Sequence, residues 1–342
     1  MNRPTIADVA KRAGVGTATV DRVLSGRRKV RRETANRVYI AAEKIGYYAA
    51  SVIKHRIKDN APKMSFGFIM PKENQEFYKI FSNILKMEVN NCELVRGASL
   101  FQYATTQNPT EYESLIEVMS DKTDIIAASS ISHDKISRIV SKLRERGLPV
   151  FSMLNDFAPG IRQNFIGLDN YRAGRLAGWI LNSTIRESGI ISIMLGGNQW
   201  GAHQLREVGF RTYFRERNSL MELQDSVLNL ETQQFTYEMV LDLLETKKNL
   251  KGVYITGGGV EGAIRALREN NLQRQVKIVV HPRTEETELA LRDEIITAII
   301  ATPLRELARL LVLEMANIFL ARNIVASQDI YLEPQILLPE YF

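Results

Sequence analysis

Cysteine is almost missing from these 342 residues: Cys92 stands alone. One thiol excludes an intrachain disulfide framework and a cysteine-built metal site. Histidine is scarce as well, at positions 55, 133, 203 and 281. Those four form no metal-spaced cluster, and no nucleophile elbow accompanies them, so an enzyme reading is unsupported and no cofactor is implied. Long apolar runs are missing too, and none reaches the length that spans a bilayer. Asn2, Arg3, Asp8, Lys11 and Arg12 interrupt the segment where an apolar signal region would stand, so the cytoplasm is the expected compartment. There is no short-period repeat and no low-complexity tract.

What is present is an ordinary globular composition, 45% hydrophobic and 25% charged, over a length suited to two or three domains. The charge is unevenly placed. Residues 1–60 hold 14 Lys and Arg against 5 Asp and Glu, whereas the rest holds 31 against 34. A basic head on a mildly acidic body directs a nucleic-acid partner to the head alone.

The head reads as three short helices. The first spans about Ile6 to Arg12, with Thr5 as a side-chain cap and Asp8 favouring its first turn. The second spans about Thr17 to Leu24, with Val20, Val23 and Leu24 inward and Gly26 ending it. The third spans about Arg32 to Ile45 and carries Val38, Ala41, Ala42 and Ile45 at helical spacing. Two short helices around Gly14 make a helix-turn-helix. Residues 46–63 read as a connector, helical in part from Ser51 to Lys58, and Pro62 marks entry to the next domain.

From Met64 the texture changes. Short apolar runs at 66–70, 125–128, 149–153, 165–168, 190–195, 252–255 and 276–280 read as buried strands. Amphipathic helix-length segments lie between them, at 134–146, 172–187, 203–217, 232–247, 260–270 and 285–293. Such alternation implies parallel sheets covered by helices on both faces. The strands are too many for one sheet and suit two similar sheets side by side.

The residues Thr5-Ile-x-Asp8-Val-Ala-x-x-Ala13-Gly14-Val15-x-x-x-Thr19-Val20-x-Arg22-Val23-Leu24, then Val30, Arg32-x-Thr34-x-x-x-Val38 and Gly46-Tyr47, carry a resemblance. The chain resembles the LacI/GalR family of bacterial transcription regulators over essentially its whole length. Asp169-Asn-x-x-Ala-Gly174, Arg206-Glu-Val-Gly209-Phe210 and Gly262-Ala-x-x-Ala-Leu267 extend it into the body. The resemblance implies an α/β chain: a three-helix helix-turn-helix DNA-binding domain at 1–48, a hinge at 49–63 and an effector-binding core at 64–342. That core is expected to be periplasmic-binding-protein-like, with two Rossmann-like subdomains, an N-subdomain at about 64–163 and 297–328 and a C-subdomain at about 164–296 and 329–342. Three crossings are expected near 160–167, 294–298 and 328–332.

The second helix of such a motif enters the major groove with its N-terminal residues on base edges. The resemblance makes Thr17, Ala18 and Arg22 the base readers. Arg22 suits guanine, while Thr17 and Ala18 sense thymine methyls or shape. Thr5, Thr19, Arg27, Arg28, Lys29, Arg31 and Arg32 are expected on phosphates. Asp21 departs from the small hydroxyl residue of relatives and either pairs with a neighbouring Arg or accepts from cytosine N4. Gly16 replaces a frequent Ser and weakens the cap of the second helix. The hinge departs further, with Ala49-Ala50 in place of Pro-Asn. A minor-groove wedge then falls to Ile53 or Ile57, with Arg56 entering a narrow groove, or else bending is weaker.

A cleft between two α/β halves binds where strand C-terminal ends converge. Candidates on those loops are Asn74, Phe77, Ser129, Asn155, Asp156, Asp169, Asn198, Trp200, His203, Arg206, Gly258, His281 and Arg283. Arg206 leads, because the resemblance sends that arginine into the cleft. Phe77 and Trp200 serve either as stacking platforms or as plain core. Gly257-Gly-Gly259 lacks the spacing of a nucleotide fingerprint and suits a close backbone approach. His281-Pro-Arg-Thr stands where relatives offer acids, which favours an anionic effector, with a neutral sugar or polyol equally open. The expected function is a homodimeric DNA-binding regulator, a repressor in the leading reading. It would bind a pseudo-palindromic double-stranded operator under control of a small carbohydrate-related effector, with no membrane partner. The alternative is a periplasmic-type solute-binding protein without DNA function.

Overall fold

Thr5 starts the first helix as expected, in a two-way cap. Its hydroxyl accepts from the Asp8 amide, and the Asp8 carboxylate accepts from the Thr5 amide at 2.8 Å. The structure, a computed structural model, describes residues 3–26, 30–217, 219–272, 274–321 and 328–341. The head contains α1 (Ile6–Ala13), α2 (Thr17–Ser25), α3 (Arg32–Lys44) and α4 (Ala50–Asp59). Gly14 and Gly26 end α1 and α2 in the left-handed conformation, at φ 65° and 66°. Arg37 donates to the Ala13 carbonyl at 2.7 Å and so ties α3 to the end of α1.

The connector departs from expectation. α4 packs on the head as a fourth helix, because Ala49, Ile53 and Ile57 fall four residues apart and form one inward stripe. Ile53 is 0% exposed among Val20, Val23, Val38 and Ala42. Ile53 is therefore core, which corrects its assignment as a wedge into DNA.

The body has two doubly covered sheets. The first half runs β1 (Lys63–Pro71), α5 (Glu76–Asn91), β2 (Arg96–Ala104), α6 (Pro109–Ser120), β3 (Ile125–Ala128), α7 (Asp134–Glu145), β4 (Val150–Met153) and β5 (Phe165–Leu168). The second half runs α8 (Asn170–Thr184), β6 (Gly189–Leu195), α9 (Gly201–Arg215), β7 (Met221–Leu223), β8 (Val227–Leu228), α10 (Gln233–Thr246), β9 (Leu250–Ile255), α11 (Val260–Glu269), β10 (Lys277–Val280), α12 (Glu285–Arg292) and β11 (Ala298–Ala301). The chain then returns through α13 (Leu304–Ala321) and β12 (Ile330–Leu332) to the first half and ends with β13 (Gln335–Leu337) on the second.

The first sheet has the order β12-β5-β4-β3-β1-β2 and is parallel throughout. The second has the order β13-β11-β10-β9-β6-β7, with β8 also on β6 and only β13 antiparallel. Strand alternation supplies both faces of the first core. Phe66, Phe68 and Met70 pack towards α5 and α13, while Ile69 packs towards α6 and α7.

The expected division at 163/164, 296/297 and 328/329 is displaced. β5 and β12 belong to the first sheet and β11 to the second, so the crossings fall at Asp169, at Thr302-Pro303 and at Glu333-Pro334. Each strand finishes its own sheet before the chain crosses. A fully buried apolar run gives no sign of which sheet it joins, since either would bury both its faces.

Arg162 pins the returning strand. Its guanidinium donates to Asp156 at 2.5 and 2.8 Å and to Asp329 at 2.7 and 3.0 Å, just before β12. Burial raises the Asp329 pKa, but hydrogen bonds from Arg162 and the Phe165 amide outweigh it and hold the carboxyl below its ordinary value. A depressed folded value stabilises above the unfolded pKa and is lost as pH falls through the folded one. Asp329→Asn is expected to lower stability by roughly 1–2 kcal/mol at pH 7, the half-exposed acid discounting a fully buried pair. Urea unfolding of wild type and variant should converge below the carboxylate range; a constant gap down to strongly acid pH would count against the assignment.

Candidate functional site

Two sites emerge, one on the head and one between the sheets. On the head, α2 presents Thr17, Ala18, Asp21 and Arg22 to solvent, with Thr19 half-buried beside them. Arg31 is also exposed. Thr5 is exposed, but its hydroxyl donates to Asp8 at 2.7 Å and serves the cap. The expected pairing of Asp21 with an arginine is not found among the described residues. Arg27, Arg28 and Lys29 lie outside the described residues.

Arg32 is not turned to DNA. It donates to the backbone carbonyls of Glu93 and Leu94, just past α5. Lys54 joins it with an ion pair to Glu93 at 2.8 Å, and Lys58 donates to the Asn90 carbonyl at 2.5 Å. Three cations thus gather at the C-terminal, electronegative end of α5. On α4, Ile57 is half-buried against the head, while Arg56 is exposed and lays its stem beside Gly26. The outward stripe is Tyr48, Val52 and Arg56, at intervals of four. Tyr48 and Val52 were missed; the phase of the Ala49-Ile53-Ile57 stripe is the signal that identifies them.

Between the sheets, loops at strand C-terminal ends enclose a narrow cleft with about 80 Å³ of accessible space, open at one side. Of the residues expected there, the fold brings together Phe77, Ser129, Asn155, Trp200, His203, Arg206, Gly258 and His281. Five others are elsewhere. Asn74 is exposed in the turn before α5, and its neighbour Gln75 reaches the cleft instead. The Asp156 carboxylate is taken by Arg162 and by Ser152 at 2.6 Å. Asp169 caps α8 through the Arg172 amide at 3.0 Å. Asn198 is exposed, and its carbonyl accepts from Gln204. Arg283 pairs with Glu288 at 2.6 Å in a separate groove.

Arg206 organises the cleft. α8 and α9 lie so close that a Cβ at Gly174 would overlap the Arg206 backbone, and one at Gly209 the Tyr171 backbone. Asn170, at the start of α8, can therefore accept from Arg206 Nε at 2.8 Å, while Nη1 donates to the Thr256 carbonyl at 2.6 Å. Burial pushes the arginine pKa down, opposed by the fields of Tyr254 and Glu231.

The two histidines are neutral. His281 Nδ1 faces the Ile300 carbonyl at 3.0 Å, which can only accept, so Nδ1 carries the proton and Nε2 accepts from Tyr254 Oη at 2.7 Å. Burial, then the charge of Arg206, holds His281 well below the ordinary range. Burial, with Arg206 and Lys72, pushes His203 down to about 3. His203 Nε2 lies 3.8 Å from Glu231 Oε1, but a neutral ring makes that a polar approach rather than an ion pair.

Glu231 lines the cleft although nothing in the sequence marked it. It is buried just after β8, and its Oε1 accepts from the Gly258 amide at 3.1 Å. Its Oε2 has no hydrogen-bond donor, though Lys72 Nζ stands 3.9 Å away. Leu230, Glu231 and Lys72 all adopt left-handed backbone, at φ 51°, 52° and 48°. Such non-glycine residues cost on the order of 1–2 kcal/mol each and persist where surroundings hold them. Lys72 Nζ donates to the Leu230 carbonyl at 2.8 Å and Gln75 Nε2 to the Glu231 carbonyl at 3.1 Å, so the first half clasps this turn of the second. Asn155 adds another bridge, accepting from the Ala202 amide at 2.7 Å.

Comparison with known proteins places the two sites in context. The family described as bacterial regulatory proteins, lacI family, matches residues 5–49, and the periplasmic binding protein domain matches residues 66–321. The HTH-type transcriptional regulator RegA of Clostridium saccharobutylicum is 25% identical over 290 residues, 79% of either chain. The HTH-type transcriptional repressor PurR of Erwinia tasmaniensis is 25% identical over 278 residues, 79% of this chain and 77% of that one. An ABC transporter solute-binding protein from Agrobacterium vitis, solved with alpha-D-tagatopyranose, shares the fold. Its TM-score is 0.73 at 15% identity, over 81% of this chain and 95% of that one. Among the described residues no helix is long and apolar enough to cross a membrane.

Buried neutral histidines make stability depend on pH. The folded value of His203 lies below the ordinary 6.5, so the unfolded chain takes up the proton first. Stability is complete above 6.5 and falls as pH drops towards about 3. Between pH 6.5 and about 4, wild type should lose up to about 1.4 kcal/mol per pH unit more than His203→Gln in urea unfolding. Parallel curves would contradict the buried neutral state.

Proposed function

The chain is a LacI-type regulator, a lacI-family head over residues 5–49 joined to a periplasmic-binding-protein domain over residues 66–321, and from that premise we propose a ligand-gated DNA-binding repressor. In this reading α2 lies in the major groove, with Arg22 on guanine and Thr17 and Ala18 against thymine methyls or shape. Two copies of the chain bind a pseudo-palindromic operator, their α4 helices side by side. Tyr48 and Val52 face the partner or the minor groove there, and Arg56 enters a narrow groove. The effector is a small polyhydroxylated metabolite in the cleft, and the compartment is the cytoplasm.

The observation that carries this reading is α5. Its start lines the cleft with Gln75, Phe77 and Tyr78, its last turn holds Lys58 of the head, and the loop just beyond holds Arg32 and Lys54. Sixteen residues of helix span about 24 Å, so one rigid element touches both sites. An effector that favours one placement of the two halves moves α5, and with it the head. A solute-binding protein without DNA function would have no use for a basic head gripped in this way.

A gel-shift titration on the DNA upstream of the chain's own coding region tests the regulator reading. A salt-sensitive, sequence-specific shift is expected, and Arg22→Ala should lose roughly 1–3 kcal/mol of discrimination at one position of each half-site. An equal loss on all sequences would make Arg22 a phosphate contact, and the absence of any specific shift would overturn the reading.

A further inference from the structure

The charges around the cleft do not balance. Among the described residues three acidic or basic side chains stand at or beside it, Arg206 and Glu231 on its lining and Lys72 next to Glu231. Lys72 and Glu231 offset one another at 3.9 Å. Arg206 has no carboxylate within ion-pair distance among the described residues, and its two protein acceptors, Asn170 Oδ1 and the Thr256 carbonyl, are neutral. His203 and His281 add no charge. A buried cation with only neutral partners is costly to keep out of water. Its Nη2 makes no hydrogen bond among the described residues, and Arg206 lines the cleft.

We infer that the effector is a polyhydroxylated monoacid whose carboxylate pairs with Arg206 Nη2. This rests on the cleft being the effector site. One negative charge balances the wall. A neutral sugar leaves Arg206 uncompensated, a phosphate dianion sets surplus charge against Glu231, and an ammonium meets both Arg206 and Lys72. The sequence suggested an anion on different grounds. Arg283 is committed to Glu288, and His281 is neutral with both nitrogens bonded, so neither supplies the attraction.

Calorimetric titration of the full-length protein with matched probes tests it: D-glucuronate against D-glucose, D-gluconate against sorbitol, with D-ribose 5-phosphate and D-glucosamine as further arms. At least one acid should bind about tenfold or more tighter than its neutral partner, as a charge-assisted pair implies. His281→Asp places a carboxylate near Arg206 and should reverse the order, while His281→Asn should leave it. If His281→Asp does not fold, the wild-type pairs still decide. Neutral partners that bind as well as the acids overturn the inference, as does strongest binding by the phosphate or the amine. If no probe binds while specific operator binding persists, the effector reading of the cleft falls with it. If an acid binds and operator binding fails, the acid inference stands and the regulator reading falls.

Discussion

The contact on which the cleft depends is the meeting of two helix backbones. Glycine at 174 and 209 lets α8 and α9 approach closer than any side chain allows. Only at that distance does Asn170 reach Arg206, whose guanidinium is also held by the Thr256 carbonyl at the end of β9. α8 begins directly after the first crossing at Asp169, so the same contact that aims the arginine also sets how the second half leaves the first. A larger residue at either glycine would disturb both together. Affinity and hinge geometry are therefore linked through one packing constraint, which is what a ligand-operated switch requires.

In the proposed switch, coupling from the cleft to the head needs no long chain of side chains. α5 presents side chains to the cleft at one end and backbone carbonyls to the head at the other. Carbonyls in the last turn of a helix lack partners within it; Lys58 satisfies that of Asn90, while Arg32 takes the carbonyls of Glu93 and Leu94 in the loop that follows. Arg32 shows what this costs the DNA interface. An arginine that reads as a phosphate contact is spent on tying the head to the body. The exposed face of α2, with Thr17, Ala18, Asp21 and Arg22, takes no part in that attachment, as the proposed base recognition requires.

Local patterns made the head legible. The Thr5-Asp8 cap, the glycines at 14 and 26 and the spacing of Val20 and Val23 each act within a few residues, so the chain displays them directly. The strand-end rule was nearly as readable: Ser129, Asn155, Arg206, Gly258 and His281 follow buried runs and meet as such loops must. Glu231 was not readable, because β8 is two residues long and leaves no apolar run to mark the loop behind it. Ile53 was misplaced for a different reason. Its neighbourhood was read as a connector, although Ala49, Ile53 and Ile57 already had the spacing of a core stripe.

The order of elements, the class of fold and the helix-turn-helix head follow from the chain as read, because each rests on periodicity or on turns with local causes. The pairing of strands with sheets, the crossings at 169, 302–303 and 333–334, and the partners of Arg162, Arg206 and Arg283 do not. Those depend on which distant segments share a neighbourhood, and a buried strand or a long cationic side chain is compatible with several. Tertiary structure chose among them by packing, and in doing so decided which charges in the cleft are balanced and which one is left for a ligand to meet.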